Sequence, residues 1–266
     1  MAPVLVALTI ALICGAAACG ALSIRDRRSR AKVVRDDTPP ASRMGAVAGA
    51  LVALVLIGLG IGVLARAIQR DSAVVRWDDE VEQWASTHAG PLGTDLLRLI
   101  THLGDTVTVI ILAVATVGAM LVLGHRRLAL FMATVVVGQW ALANAIKQIV
   151  ERARPELDPL AGFHGFSFPS GHATAAAATY LALAIVLAAV LPRWNRALLI
   201  GGAVAIAVAV AASRSLLGVH WFSDIIGGLL LGWTWCLTCA VLYDVLSRRP
   251  APSGSTSTVT ASPSAT

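Results

Sequence analysis

Charge is what this chain has least of. Only 14% of its 266 residues are Asp, Glu, Lys or Arg, against about 25% in an ordinary soluble domain. With 57% of its residues hydrophobic and a mean hydropathy of +0.76, the shortage excludes a soluble globular protein and leaves a polytopic membrane protein. The polar loops hold no cysteine. Cys14, Cys19, Cys236 and Cys239 all fall in apolar runs, so no disulfide framework is needed to explain the fold. Cys236 and Cys239 form a CxxC, but inside an apolar run without nearby metal-type ligands, where they read as small packing residues. Nor is there an acidic cluster offering the oxygen ligands that Mg²⁺ requires. Glu156 and Asp158 lie in a Pro-containing loop with no helical or EF-type spacing. The net charge of +6 calls for no nucleic-acid partner, because topology accounts for its distribution.

A membrane helix needs about 20 apolar residues, and seven stretches fit: 3–23, 45–66, 106–124, 128–147, 171–191, 197–213 and 223–243. Ala16-Ala17-Ala18 resembles a signal-peptide cleavage region, but no basic residue precedes the first run and a dense basic segment follows it. That arrangement reads as an uncleaved anchor with its N-terminus outside. The expected organisation is an N-terminal span (1–24), a basic cytosolic loop (25–44), a membrane-integral domain (45–246) and a Pro/Ser/Thr/Ala-rich disordered tail (247–266).

Alternating the spans places thirteen of the 21 basic residues on one side. They are Arg25, Arg27, Arg28, Arg30, Lys32, Arg35 and Arg43, then Arg126-Arg127, Arg193 with Arg196, and Arg248-Arg249. The positive-inside rule makes that side cytosolic. The 67–105, 148–170 and 214–222 segments then face outward. In the first of these, Val74, Trp77, Val81 and Trp84 recur at helical spacing, with Asp78, Asp79, Glu80, Glu82 and Gln83 between them. This predicts a helix along the outer interface with its tryptophans at headgroup depth, either a wall of the site entrance or a simple brace. Asp105 reads as the N-cap of the following span.

Three polar clusters lie on that outer side. In the last, His220 and Asp224 are four residues apart, so on a helix or its leading turn they share a face. A carboxylate on one ring nitrogen fixes the tautomer and leaves the other as an outward lone pair, ready as nucleophile or general base. In the middle cluster, Pro169-Ser170-Gly171-His172 precedes an Ala-rich span. Ser170 is the expected N-cap, the N–H groups of Gly171 and His172 favour an anion, and His172 could donate a proton. In the first, Lys147 and Arg154 are seven residues apart, close to two turns if the helix continues, with Pro155 ending it. Arg152 reads as solvated or touching headgroups. Lys147, Arg154 and Arg214 together could neutralise a phosphate dianion without a metal.

Lys147-x6-Arg154-Pro155, Pro169-Ser170-Gly171-His172 and Ser213-Arg214-x5-His220-x3-Asp224 together resemble the phosphatidic acid phosphatase type 2 superfamily, which includes the vanadium haloperoxidases. The resemblance covers roughly residues 70–240. It implies an all-α core of six membrane helices, to which the first span is an addition. It also implies that His220 attacks phosphorus with Asp224 holding it, and that His172 protonates the leaving group and later helps activate water. Lys147, Arg154, Ser170, Gly171 and Arg214 would bind the phosphate oxygens, with no cofactor or metal.

The expected function is a multi-pass plasma-membrane phosphatase whose partner is a lipid phosphate in the bilayer, cleaved at the extracytoplasmic face. Undecaprenyl pyrophosphate, phosphatidic acid and phosphatidylglycerol phosphate are all candidates. Selectivity is expected in the 67–105 and 156–168 loops. Two alternatives remain at the level of sequence: a vanadate-dependent haloperoxidase-like enzyme, and a non-catalytic lipid-phosphate binding or transport protein.

Overall fold

Apolar runs of spanning length fold as helices, because each backbone N–H and C=O needs a partner that lipid cannot supply. The computed structural model describes residues 40–70, 72–88, 90–155, 165–191 and 196–247. Among these residues all regular structure is helical. The order is α1 (Pro40–Ile68), α2 (Ala73–His88), α3 (Pro91–Thr101), a 3-10 turn (His102–Gly104), α4 (Thr106–Val122), α5 (Arg126–Val150), α6 (Gly171–Val190), α7 (Arg196–Leu216) and α8 (Phe222–Ser247). The six spans expected between 45 and 243 each correspond to one helix, namely α1 and α4 to α8. By length and composition α5, α6, α7 and α8 can each cross a membrane, and α3 with α4 forms a further apolar unit bent by 42°. The expected first span, the basic segment to residue 39 and the tail beyond Ser247 lie outside the described residues. Helix α1 already begins at Pro40, inside the stretch expected as loop.

Helix α6 is the axis of the bundle, packed on α4, α5, α7 and α8. Its sequence explains why. Within lipid no hydrophobic force drives helices together, so close approach depends on small side chains. Ala173, Ala176, Ala177, Ala178 and Ala182 of α6 are all fully buried. Across from them, a Cβ added at Gly228 of α8 would lie 2.7 Å from Ser170 O, and one at Gly232 would lie 2.5 Å from Thr174 O. Trp235 of α8 donates its indole N–H to Val135 O of α5 at 3.0 Å and lies over Gly138. Tyr180 of α6 donates to Leu103 O at 2.8 Å, tying the axis to the 3-10 turn. Cys236 and Cys239 are buried thiols inside this packing, as the small-residue reading expects. Large apolar side chains are exposed instead on the outer helices: Val55, Leu59 and Val63 on α1, Ile111 and Val114 on α4, Leu130 and Val137 on α5. Such a girdle is what a lipid-facing surface requires.

Because successive spans run in opposite directions, the end of α5, the start of α6, the end of α7 and the start of α8 meet at one end of the bundle. Helices α2 and α3 pack against that end of α7. The 67–105 segment is thus two short helices and a turn. Trp77 is exposed, in keeping with an interfacial position, but Asp78 faces inward and is only 1% exposed. That corrects its expected place on the polar outer side of the helix.

Candidate active site

The third cluster is shaped by a tight reversal. Helix α7 ends at Leu216, and Gly218 adopts the left-handed conformation (φ 67°) that its lack of a Cβ permits. The turn is closed by the Val219 N–H donating to Arg214 O at 3.2 Å. His220 follows two residues before α8, and Asp224 lies in the first turn of that helix. Asp224 Oδ2 is 3.4 Å from His220 Nδ1, so the expected shared face is realised through the leading turn. Oδ2 also accepts from the Trp221 N–H at 3.1 Å and from the Ser167 hydroxyl, while Oδ1 accepts from Arg152 at 2.6 Å. Ser167 Oγ is 3.3 Å from His220 Nδ1 as well. With Nδ1 so engaged, Nε2 carries the lone pair, and Arg154 Nη1 stands 3.3 Å from it. Burial pulls the His220 pKa down from 6.5 to about 4, against the opposing pull of Asp224. The ring is therefore neutral at ordinary pH.

The first cluster reaches the same place by a different route from the one expected. Helix α5 ends at Val150, where Glu151 turns left-handed (φ 48°) and its N–H bonds Lys147 O. Residues 151–155 are irregular. Lys147 and Arg154 therefore do not stack on two turns of helix, and Pro155 does not end one. They converge because the chain folds back across the mouth of the bundle. Lys147 Nζ donates to Phe166 O at 3.2 Å. Arg154 donates through Nε to Gly165 O at 3.0 Å and through Nη1 to Val219 O at 2.8 Å. Burial lowers the Arg154 pKa from its ordinary value, with Asp224 opposing. Arg152, in the same irregular segment, has a different set of partners. Its side chain is 9% exposed and bonded to Asp78, Ser223 and Asp224. This overturns its reading as a solvated or headgroup-contacting residue.

In the second cluster, Ser170 caps α6 as its sequence position suggests, with Oγ accepting from Ala173 N at 3.5 Å. Its own N–H donates to Asp224 O at 3.1 Å, pinning the starts of α6 and α8 together. Ser170 is fully buried, stands behind the cavity lining and has a structural role as the cap of α6. His172 lies in the first turn, with Nε2 2.7 Å from Asp105 Oδ1. The other oxygen of Asp105 is 2.6 Å from His102 Nδ1. Asp105 does occupy the N-cap position of α4, but its side chain makes no cap hydrogen bond. It holds two histidines instead.

These groups surround a cavity of about 640 Å³. One end is polar, lined by Lys147, Arg154, Gly171, His172, Arg214 and His220. Arg214 is 2% exposed and donates to Thr101 Oγ1 of α3 at 2.9 Å. Away from that end the walls are Val109 and Ile110 of α4 and Val136, Val137 and Trp140 of α5. The cavity can thus take an anion at one end and hydrocarbon along the rest. Of the predicted residues, Asp224 and Ser170 stand behind the lining and the other six are on it. Among the described residues, no three His, Cys, Asp or Glu side chains are grouped to hold a metal ion. Residues 156–164, most of the 156–168 loop in which selectivity was expected, lie outside the described residues. Sequence reasoning missed Asp78, Asp105 as a histidine partner, Thr101 and Ser167. Local sequence marked Asp78 only as part of the polar face of a helix and Asp105 only as a cap; Thr101 and Ser167 gave no signal.

Comparison with known proteins gives a consistent picture. The model of the PAP2 superfamily matches residues 127–248. Phosphatidylglycerophosphatase B of Bacillus subtilis is 33% identical over 175 residues, which are 64% of this chain and 84% of that protein. Lipid A 1-phosphatase of Rhizobium etli is 33% identical over 123 residues, 42% of this chain and 49% of the relative. The crystal structure of the transmembrane PAP2 type phosphatidylglycerolphosphate phosphatase from Bacillus subtilis superposes with a TM-score of 0.69 at 31% identity. It covers 73% of this chain and 97% of that one.

Proposed function

The chain belongs to the PAP2 superfamily, and from that membership we propose that it hydrolyses a lipid phosphate or polyprenyl pyrophosphate at the extracytoplasmic face through a phosphohistidine. The observation that carries the reading is the two-ended cavity, in which three cations and two histidines meet an apolar slot between α4 and α5. A phosphate on a lipid fits both ends at once, and a substrate anchored by its tail arrives by lateral diffusion.

In this mechanism His220 Nε2 attacks phosphorus while Asp224 and Ser167 hold the Nδ1 side of the ring. The bond from phosphorus to the leaving oxygen breaks, and His172 gives that oxygen its proton. Asp105 fixes the orientation of the His172 ring in the phosphate-free site. Water then attacks the phosphohistidine with His172 as base, releasing inorganic phosphate and restoring His220. Lys147, Arg154 and Arg214 stabilise the charge on the non-bridging oxygens throughout, the work done elsewhere by metal ions. Outward orientation is supported by the basic residues at the opposite ends of the helices, among them Arg126, Arg127 and Arg196.

The test is phosphate release from a panel of phosphatidic acid, phosphatidylglycerol phosphate and undecaprenyl pyrophosphate in detergent micelles. His220→Ala should lower kcat by about 10³-fold or more, the scale seen when a nucleophile is removed. Brief exposure to ³²P-labelled substrate followed by alkaline denaturation should leave label on the wild type and none on the variant. A His220→Ala protein that releases phosphate at the wild-type rate ends the proposal.

A further inference from the structure

Helix α2 is a polar helix lying against the outside of the bundle, yet one of its carboxylates is buried. Burying a carboxylate is costly unless charge and hydrogen bonds compensate it. At Asp78 both oxygens are matched. Oδ1 accepts from the Ser223 N–H at 2.7 Å. Oδ2 accepts from the Ser223 hydroxyl at 2.6 Å and from Arg152 Nη2 at 2.7 Å. The other terminal nitrogen of Arg152 donates to Asp224 Oδ1 at 2.6 Å and to Ser223 Oγ at 2.7 Å. The same guanidinium lies 5.2 Å over the Trp221 ring, which keeps its plane fixed. A single planar cation is therefore shared between a carboxylate of α2 and the carboxylate that faces His220.

We propose that Asp78 is a positioning residue for phosphoryl transfer, acting through Arg152 to set the orientation and charge of Asp224. The inference rests on the reading of His220 as nucleophile. Its physical basis is competition for one guanidinium. With Asp78 in place, only Nη1 reaches Asp224, and Oδ2 stays free for the Trp221 N–H, Ser167 and His220. Without it, Arg152 can turn its whole fork onto Asp224, the bidentate geometry such pairs favour. That draws Oδ2 away from His220 Nδ1 and weakens the negative charge that supports the ring as phosphorus is attacked. Lysine could not substitute, because a point-like ammonium cannot span the two carboxylates as the planar fork does. Asp78 itself lines no part of the cavity, so substrate binding should not depend on it.

The experiment compares wild type with Asp78→Asn, Arg152→Lys and His220→Ala, using short-chain phosphatidic acid in detergent micelles. It records kcat per monodisperse protein, KM and the thermal midpoint. Asp78→Asn is expected to lower kcat by about tenfold or more, the scale of one charge-assisted hydrogen bond, with KM held within about twofold. Arg152→Lys should show the same split, and it carries the test if Asp78→Asn does not fold. A brace role alone would lower the thermal midpoint and leave kcat unchanged, which overturns the proposal. So does a rise in KM at constant kcat. If His220→Ala is inactive while both other variants turn over normally, only the role of Asp78 falls. If His220→Ala stays active, the reading beneath it falls too.

Discussion

At His220, burial and a carboxylate pull in opposite directions, and burial wins. The pKa is held near 4 rather than 6.5, so in the phosphate-free protein this ring is neutral at ordinary pH. A ¹⁵N-imidazole titration in detergent, assigned by comparison with His220→Gln, should show no protonation of this ring around pH 6.5 and a midpoint near pH 4. The same shift has a stability consequence of fixed sign. The unfolded chain takes up this proton near 6.5 while the folded one refuses it until about 4. Stability from this group is therefore whole above pH 6.5 and declines as pH falls toward 4. The three cations raise a second expectation. Phosphate release should survive exhaustive chelation, because Lys147, Arg154 and Arg214 line the polar end of the cavity and no group of three metal-type ligands stands among the described residues. Activity lost to chelator and restored by Mg²⁺ would refute that.

Among the elements, the pairing of α6 with α8 matters most, because it brings the cap at Ser170 against Asp224. Their separation is set by glycine. A Cβ at Gly232 would meet Thr174 O at 2.5 Å and Ala177 Cβ at 2.7 Å, both on a rigid helix rather than a flexible side chain. Gly232→Val should cost about 1–3 kcal/mol by overpacking, read as a lower thermal midpoint. It should also reduce kcat, since moving α8 moves Asp224 relative to His220. A substitution to Val on the exposed face of the same helix, at Leu237, should do neither. The short elements show where periodicity misleads. Helical spacing correctly predicted α2, but it assigned Asp78 to the outside because Asp78 shares an acidic run with Asp79 and Glu80, which are indeed exposed. No feature of the local sequence shows that Arg152, 74 positions away, waits for it.

For the whole molecule, the proposed sidedness rests on the distribution of arginine and lysine, and it can be tested directly. With the four native cysteines replaced, Thr87→Cys on α2 and His125→Cys in the turn between α4 and α5 are both at exposed positions. An impermeant maleimide applied to intact cells should label Thr87→Cys and spare His125→Cys until the membrane is opened. The reverse pattern would place the site on the cytosolic side.

The sequence by itself determined the class, the six apolar spans from 45 to 243 and six of the residues that line the cavity. Those depend on run length, hydropathy and short motifs, all of which are local. Three spaced motifs could name Lys147, Arg154, His172, Arg214 and His220 as one group, because each motif is short and is read without knowing the route the backbone takes. What only the tertiary structure decided was how they meet and what stands behind them. A left-handed Glu151 and an irregular segment after it, not a continued helix, bring Arg154 to His220. The carboxylates Asp78 and Asp105 were legible as a surface residue and a cap, yet they hold Arg152 and His172. The physical reason is that a buried charge is defined by its partners, and those partners come from helices far apart in the chain.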